Sequence, residues 1–124
     1  MDTNELEQHI DLLMHALNDR AFLIISVSGT DDFLQLTGDT QGVQIDFPLI
    51  TDRQLTLESK IRLAAEAEGL EVVENKGSGG ERFLDIDIEG DAVEVARVCR
   101  VLLRNVFGAE DGARLEFEGD GLSN

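Results

Sequence analysis

The sequence predicts an α+β domain in which helices pack against a mostly antiparallel sheet. Three observations lead there. Helical and strand periodicities follow one another in the order α-β-β-β-α-β-β-α, with a further short strand available at the end. Strands come in adjacent runs rather than in strict βαβ alternation, which favours antiparallel pairing. A chain of 124 residues, 42% hydrophobic, suffices for one core and one domain, residues 1–124.

The first helix is read from "TNELEQHIDLLMHALN", residues 3–18. Leu6, Ile10, Leu13 and Leu17 recur at helical spacing with Met14 beside them. Asp2 and Glu5 form a capping pair, and Asn18 and Asp19 close the segment. "AFLIISVSG" is short, β-branched and nearly all apolar, as a central strand should be. After the turn "TDD", the runs "FLQLTG" and "GVQIDFPLI" alternate and form a hairpin around residues 38–42. Pro48 lacks an N–H, so the second run is expected to end there or to lie along an edge.

A second helix is expected across "TDRQLTLESKIRLAAEAEG", capped by Thr51 or Asp52 and stopped by Gly69. "LEVVEN" and "RFLDIDIEG" make a second strand pair across "KGSGGE". The third helix, "DAVEVARVCRVLLRNVFG", turns Ala92, Val95, Ala96, Cys99, Leu102, Leu103 and Val106 inward and ends at Gly108. Residues 115–124 add a short strand through Leu115 and Phe117 before a frayed tail.

Charge narrows the function classes. Twenty-six acids face ten basic residues, a net charge of −16. Such a surface repels nucleic acid and anionic membranes, which are bound through clustered Lys and Arg. Only Lys60 and Lys76 are lysines. An acid-rich, lysine-poor surface fits work in high salt, a basic partner, or an ordinary acidic domain. No apolar run reaches the roughly 18 to 20 residues that span a bilayer, and "MDTNELEQH" is unlike a secretory leader. A cytoplasmic protein is expected.

The apparent motifs reduce to structure. "DIDIEGD" opens like a calcium loop, but counting from Asp85 the twelfth position, which needs a glutamate, is Ala96. Its alternation is that of a strand, with Asp85 and Asp87 facing water and Asp91 capping the third helix. "KGSGGE" lacks the Lys and hydroxyl ending of a P-loop and leads into a strand. His9 and His15 stand about 240° apart around a helix and share no metal. Cys99 alone makes neither a disulfide nor a cysteine zinc cluster, and its helical face predicts a buried, inert thiol. Neither Ser26 nor Ser28 has a histidine at a motif spacing. No catalytic residue, metal or cofactor is expected.

Two features remain. Arg97, Arg100 and Arg104 form a cationic stripe on the third helix. It is either a solvated face that complements the helix dipole or a docking strip for an acidic segment. The second feature follows from strand parity. If Leu23, Ile25 and Val27 face the core, then Phe22 and Ile24 face away, as do Phe33 and Phe83. Either the protein covers these four residues itself, with its second helix for example, or a partner does.

From "AAEAEGLEVVEN" through "FLDIDIEGDAVEVARVCRVLLRNVFG", a helix ending in Gly-Leu, two strands and a final helix follow one another. In this order, and in size and acidity, the chain resembles the small acidic bacterial chaperones of type III secretion and the wider YbjN-like superfamily. That group is defined by pattern and has no invariant catalytic motif, so the resemblance carries over no single residue. It implies a non-enzymatic homodimer holding an extended segment of a client protein on hydrophobic patches. Phe22, Ile24, Phe33 and Phe83 would form such a patch, and Leu57, Ile61, Ala64 and Ala65 of the second helix the dimer seam. A regulatory or immunity-like domain binding one folded partner is the alternative, and a small-molecule enzyme the third class.

Overall fold

The computed structural model describes residues 1–122. In chain order they form α1 (Thr3–Met14), β1 (Phe22–Val27), β2 (Phe33–Asp39), β3 (Gly42–Leu49), α2 (Asp52–Thr56), α3 (Glu58–Ala67), β4 (Val72–Lys76), β5 (Arg82–Glu89), α4 (Ala92–Phe107) and β6 (Leu115–Asp120). The strands join one sheet in the order β4-β5-β3-β2-β1-β6, every neighbouring pair antiparallel. The fold is α+β, and the strand expected at the end of the chain is present as β6, paired with β1. The tail expected after it reaches residues 123–124, outside the described residues.

Alternation decides which face the helices take. Leu23 and Ile25 of β1, Leu34 and Leu36 of β2, Ile45 and Phe47 of β3, and Leu84 and Ile86 of β5 are all buried. They meet Leu6, Ile10 and Leu13 of α1 and Val95, Cys99, Leu102 and Leu103 of α4 in one core. Full burial of each large apolar side chain contributes about 1.5–3 kcal/mol, which is why the strand register cannot slip by one residue.

The caps behave as their chemistry dictates. The Asp2 carboxylate accepts from the Glu5 N–H at 3.1 Å, and Asp91 accepts from the Glu94 N–H at 2.9 Å. Thr51 and Gln54 form a reciprocal capping box at α2. Gly108 closes α4 at φ +73°, a conformation that an L side chain resists.

Four expectations are corrected. The first helix stops at Met14, where the His15 N–H bonds the Asp11 carbonyl and the Ala16 N–H the Leu13 carbonyl, so Leu17 lies outside it and is 89% exposed. The second helix is two, broken at Leu57, which caps one and starts the other. Strand β4 begins at Val72 rather than at Leu70. Pro48 is not on an edge strand, because β3 lies between β5 and β2. It does sit one residue before the end of β3, past the last β2–β3 pair, Gln35↔Asp46, where that ladder asks for no N–H.

Candidate interaction surface

The helices leave one face of the sheet uncovered. On it, strand register sets the outward residues in rows. One row runs Val73, Asp85, Asp46, Gln35, Ile24 and Glu118 across all the strands. The next pairs Asn75 with Phe83, Phe83 with Pro48, and Phe33 with Ser26. Continuing the β2–β3 register brings Phe33 alongside Pro48, so Phe83, Pro48 and Phe33 form an apolar bar across one end of strands β5, β3 and β2. A third row holds Asp87, Gln44 and Thr37, with Phe22 and Asp120 beyond.

Phe22, Ile24, Phe33 and Phe83 therefore share the face opposite the core, each partly buried by its neighbours on the sheet. The second helix does not cover them, since α3 packs against α4 on the other side. Only α2 reaches the end of the bar. There Thr51, Arg53 and Gln54 share a cleft of about 610 Å³ with Ser26, Phe33 and Pro48. At the opposite end the glycine loop comes close to Phe83: a Cβ on Gly77 would stand 2.5 Å from the Glu81 carboxylate and 3.3 Å from the ring. Alanine there would displace the Glu81 side chain first and press lightly on the ring.

Beside the bar lies a depression of about 380 Å³ lined by Asp46, Asp85, Gln35, Thr37, Gln44, Asn75, Lys76, Gly77 and Phe83. Asp46 and Asp85 are directly opposed across β3 and β5. Asp46 Oδ1 is buried and accepts no hydrogen bond. Burial first, then hydrogen-bonding contact with Asp85 and its charge, push the Asp46 carboxyl up to about 7. Asp85 accepts from the Asn75 amide, and Asp87 accepts from the Gln44 amide at 3.2 Å. Asp85 and Asp87 thus belong to a regular strand, as their alternation predicts, and no group of three or more His, Cys, Asp or Glu among the described residues is placed to share a metal.

The arginine stripe is not a free docking strip. Arg97 bonds Glu94 at 2.7 Å and Glu68 at 2.9 Å, tying α4 to the end of α3. Arg100 donates to Thr3 Oγ1 at 2.7 Å, and Arg104 pairs with Asp111. Acids within the chain thus match the charges of Arg97 and Arg104, while Arg100 meets the neutral Thr3 hydroxyl.

The dimer seam is likewise overturned at its location. Leu57, Ile61, Ala64 and Ala65 are 6%, 1%, 4% and 0% exposed within a single chain. Small alanines do let a helix approach closely, but that helix is the chain's own α4. The exposed large apolar residue of this helix is Leu63, on its other side.

Other titratable groups fall into place. Cys99 is fully buried, its thiol pushed up to about 12 by desolvation. His9 stacks on Phe117 with ring centres 4.0 Å apart, fastening α1 to β6. Asp32, in the turn before β2, is buried and takes a two-pronged bond from Arg53 at 2.8 and 2.7 Å.

Sequence reasoning missed three contributors to the outer face: Pro48, Val73 and Asp46. Asp46 carried a signal, being the one acid in the alternating run "GVQIDFPLI", but its partner depends on which strand lies beside β3. Among the described residues, no helix is long and apolar enough to cross a membrane. No family model matches the chain, and no curated protein or solved structure matches it.

Proposed function

We propose that this protein is a non-enzymatic, cytoplasmic protein-binding module, a chaperone or escort that holds a segment of a client polypeptide on its outer sheet face. The observation that carries this reading is the apolar bar Phe83–Pro48–Phe33, with Ile24 one row away and Phe22 two, on a face that the helices of the described residues leave open except where α2 meets the end of the bar. Apolar side chains clustered on one face and rimmed by polar groups mark interaction surfaces. The cleft beside α2 extends the bar and offers depth for a bulky client side chain. The resemblance to type III secretion chaperones and YbjN-like proteins points the same way. A homodimer, which that resemblance implies, would have to form through a surface other than Leu57, Ile61, Ala64 and Ala65.

The test is a capture experiment in lysate of the native host at its own salt, with wild type and Phe33→Ala/Phe83→Ala side by side. Each single change removes a partly buried ring and should cost about 1–2 kcal/mol in folding. The double variant, once shown to be folded, should lose the partner that wild type retains. Equal capture by both proteins would remove the outer face from the reading.

A further inference from the structure

The two faces of the sheet differ sharply in charge. Four arginines on the helix side are matched by acids within the chain: Arg82 and Arg62 with Glu58 and Glu74, Arg97 with Glu68 and Glu94, and Arg104 with Asp111. On the outer face, the strand positions that alternate away from the core hold Asp46, Asp85, Asp87, Glu116 and Glu118, and not one Lys or Arg among the described residues. Lys76, from the end of β4, is the one cation among the described residues that line the Asp46–Asp85 depression. The donors these acids find are neutral: Asn75 for Asp85, Gln44 for Asp87, and the Ser28 hydroxyl for Glu116 at 3.0 Å. Oδ1 of Asp46 finds none. An apolar bar with a row of acids alongside it is complementary to a ligand that presents apolar and cationic groups side by side.

We infer that the outer face docks a basic amphipathic polypeptide segment, its apolar side chains seated on Phe83, Pro48 and Phe33 and its cations over Asp46 and Asp85. This inference rests on the protein-binding reading and adds the chemistry of the partner. Once Asp46 has given up its proton, a Lys or Arg placed between it and Asp85 relieves the repulsion of two opposed carboxylates and supplies the donor that Asp46 Oδ1 lacks. A second copy of this chain is a poor occupant, because each carries −16 and would set acid against acid. An acidic segment fails for the same reason.

The inference is tested on the full chain, ¹⁵N-labelled, titrated with a synthetic peptide of about ten residues alternating Lys and Leu, long enough to cross strands ~4.8 Å apart. Matched peptides replace every Lys by Gln or by Glu, and spermine serves as a charge-only probe. Expected are amide shifts centred on Phe33, Asp46, Phe83 and Asp85, with affinity falling as salt rises. Asp46→Asn/Asp85→Asn should weaken the Lys peptide by about tenfold or more. Glu66→Gln/Glu110→Gln removes the same charge from exposed sites elsewhere and should weaken it by less than about twofold.

Equal losses in the two double variants would reduce the effect to bulk charge and overturn the proposal. So would spermine reproducing the same shifts at the same concentration. Tight binding of the Gln peptide on the same amides would overturn the basic partner while leaving the protein-binding reading intact. That reading falls separately, if Phe33→Ala/Phe83→Ala leaves capture of the host partner unchanged.

Discussion

Asp46 and Asp85 stand directly opposite one another on β3 and β5, two carboxylates on the uncovered face of a sheet, one of them with a buried oxygen that no donor reaches. The arrangement costs stability at neutral pH. The folded chain holds a proton on Asp46 up to about pH 7, whereas the unfolded chain releases it near 3.8. Between those values the folded state binds more protons, so this contribution to stability is greatest at the acid end and is lost as pH rises through about 7. Asp46→Asn removes the titration. It should gain about 1 kcal/mol over wild type at about pH 8, a figure reduced for solvent screening of a partly buried group, and little at about pH 4. Urea melts at the two pH values check this, and an equal gain at both would contradict it.

Arg82 is the hub of a network joining α3, β4 and β5. Its guanidinium reaches Glu58 at 2.8 Å and Glu74 at 2.9 and 3.0 Å, and Arg62 bonds the same two carboxylates. These hydrogen bonds hold Glu58 and Glu74 below the usual carboxylate range. Arg82→Gln should lower the urea midpoint in dilute buffer, and the difference should narrow in molar NaCl, where the Debye length falls to about 3 Å. A salt-independent loss would mean that Arg82 acts through packing of its stem.

The net charge of −16 makes a wider prediction. With the outer-face acids unmatched by cations, self-repulsion weakens the fold at low ionic strength. The thermal midpoint should rise from dilute buffer to molar KCl. A flat profile would remove the support for a protein adapted to high salt.

Ala64 tests the corrected seam. As a dimer contact, Ala64→Glu would yield a folded monomer. Buried against α4 at 4% exposure, it should instead destabilise the chain itself by about 3 kcal/mol or more, through an unpaired charge in the core. Leu63→Glu, at a site 66% exposed, should change stability by less than about 0.5 kcal/mol. Paired denaturant melts and light scattering of the two variants distinguish the cases.

Cys99 should be silent in the native state. Its thiol is fully enclosed and held in the protonated form by burial, with the charge of Arg100 opposing only weakly. An aromatic disulfide reagent should release no colour from the folded protein and one equivalent after denaturation. Rapid native labelling would show that α4 opens from the sheet.

Local chemistry alone determined a good deal of this molecule. Side chains alternate with period two along any strand, so the parity of Leu23, Ile25, Leu34 and Leu84 was enough to put Phe22, Ile24, Phe33 and Phe83 on the opposite face. Asp2, Thr51 and Asp91 marked helix starts because a side-chain oxygen placed there satisfies an otherwise unpaired N–H. What only the tertiary structure decided is adjacency. The stripe Ile61, Ala64 and Ala65 has the same period whether it meets a second copy or α4, and only the packing of α3 assigns it to the latter. Arg97, Arg100 and Arg104 are evenly spaced in any helix, yet their partners Glu68, Thr3 and Asp111 come from three other parts of the chain. Likewise Asp46 meets Asp85, and Pro48 meets Phe83, only because β3 lies beside β5. Periodicity states which way a side chain points. Strand order and register, set by burial of the whole core at once, state what it finds there.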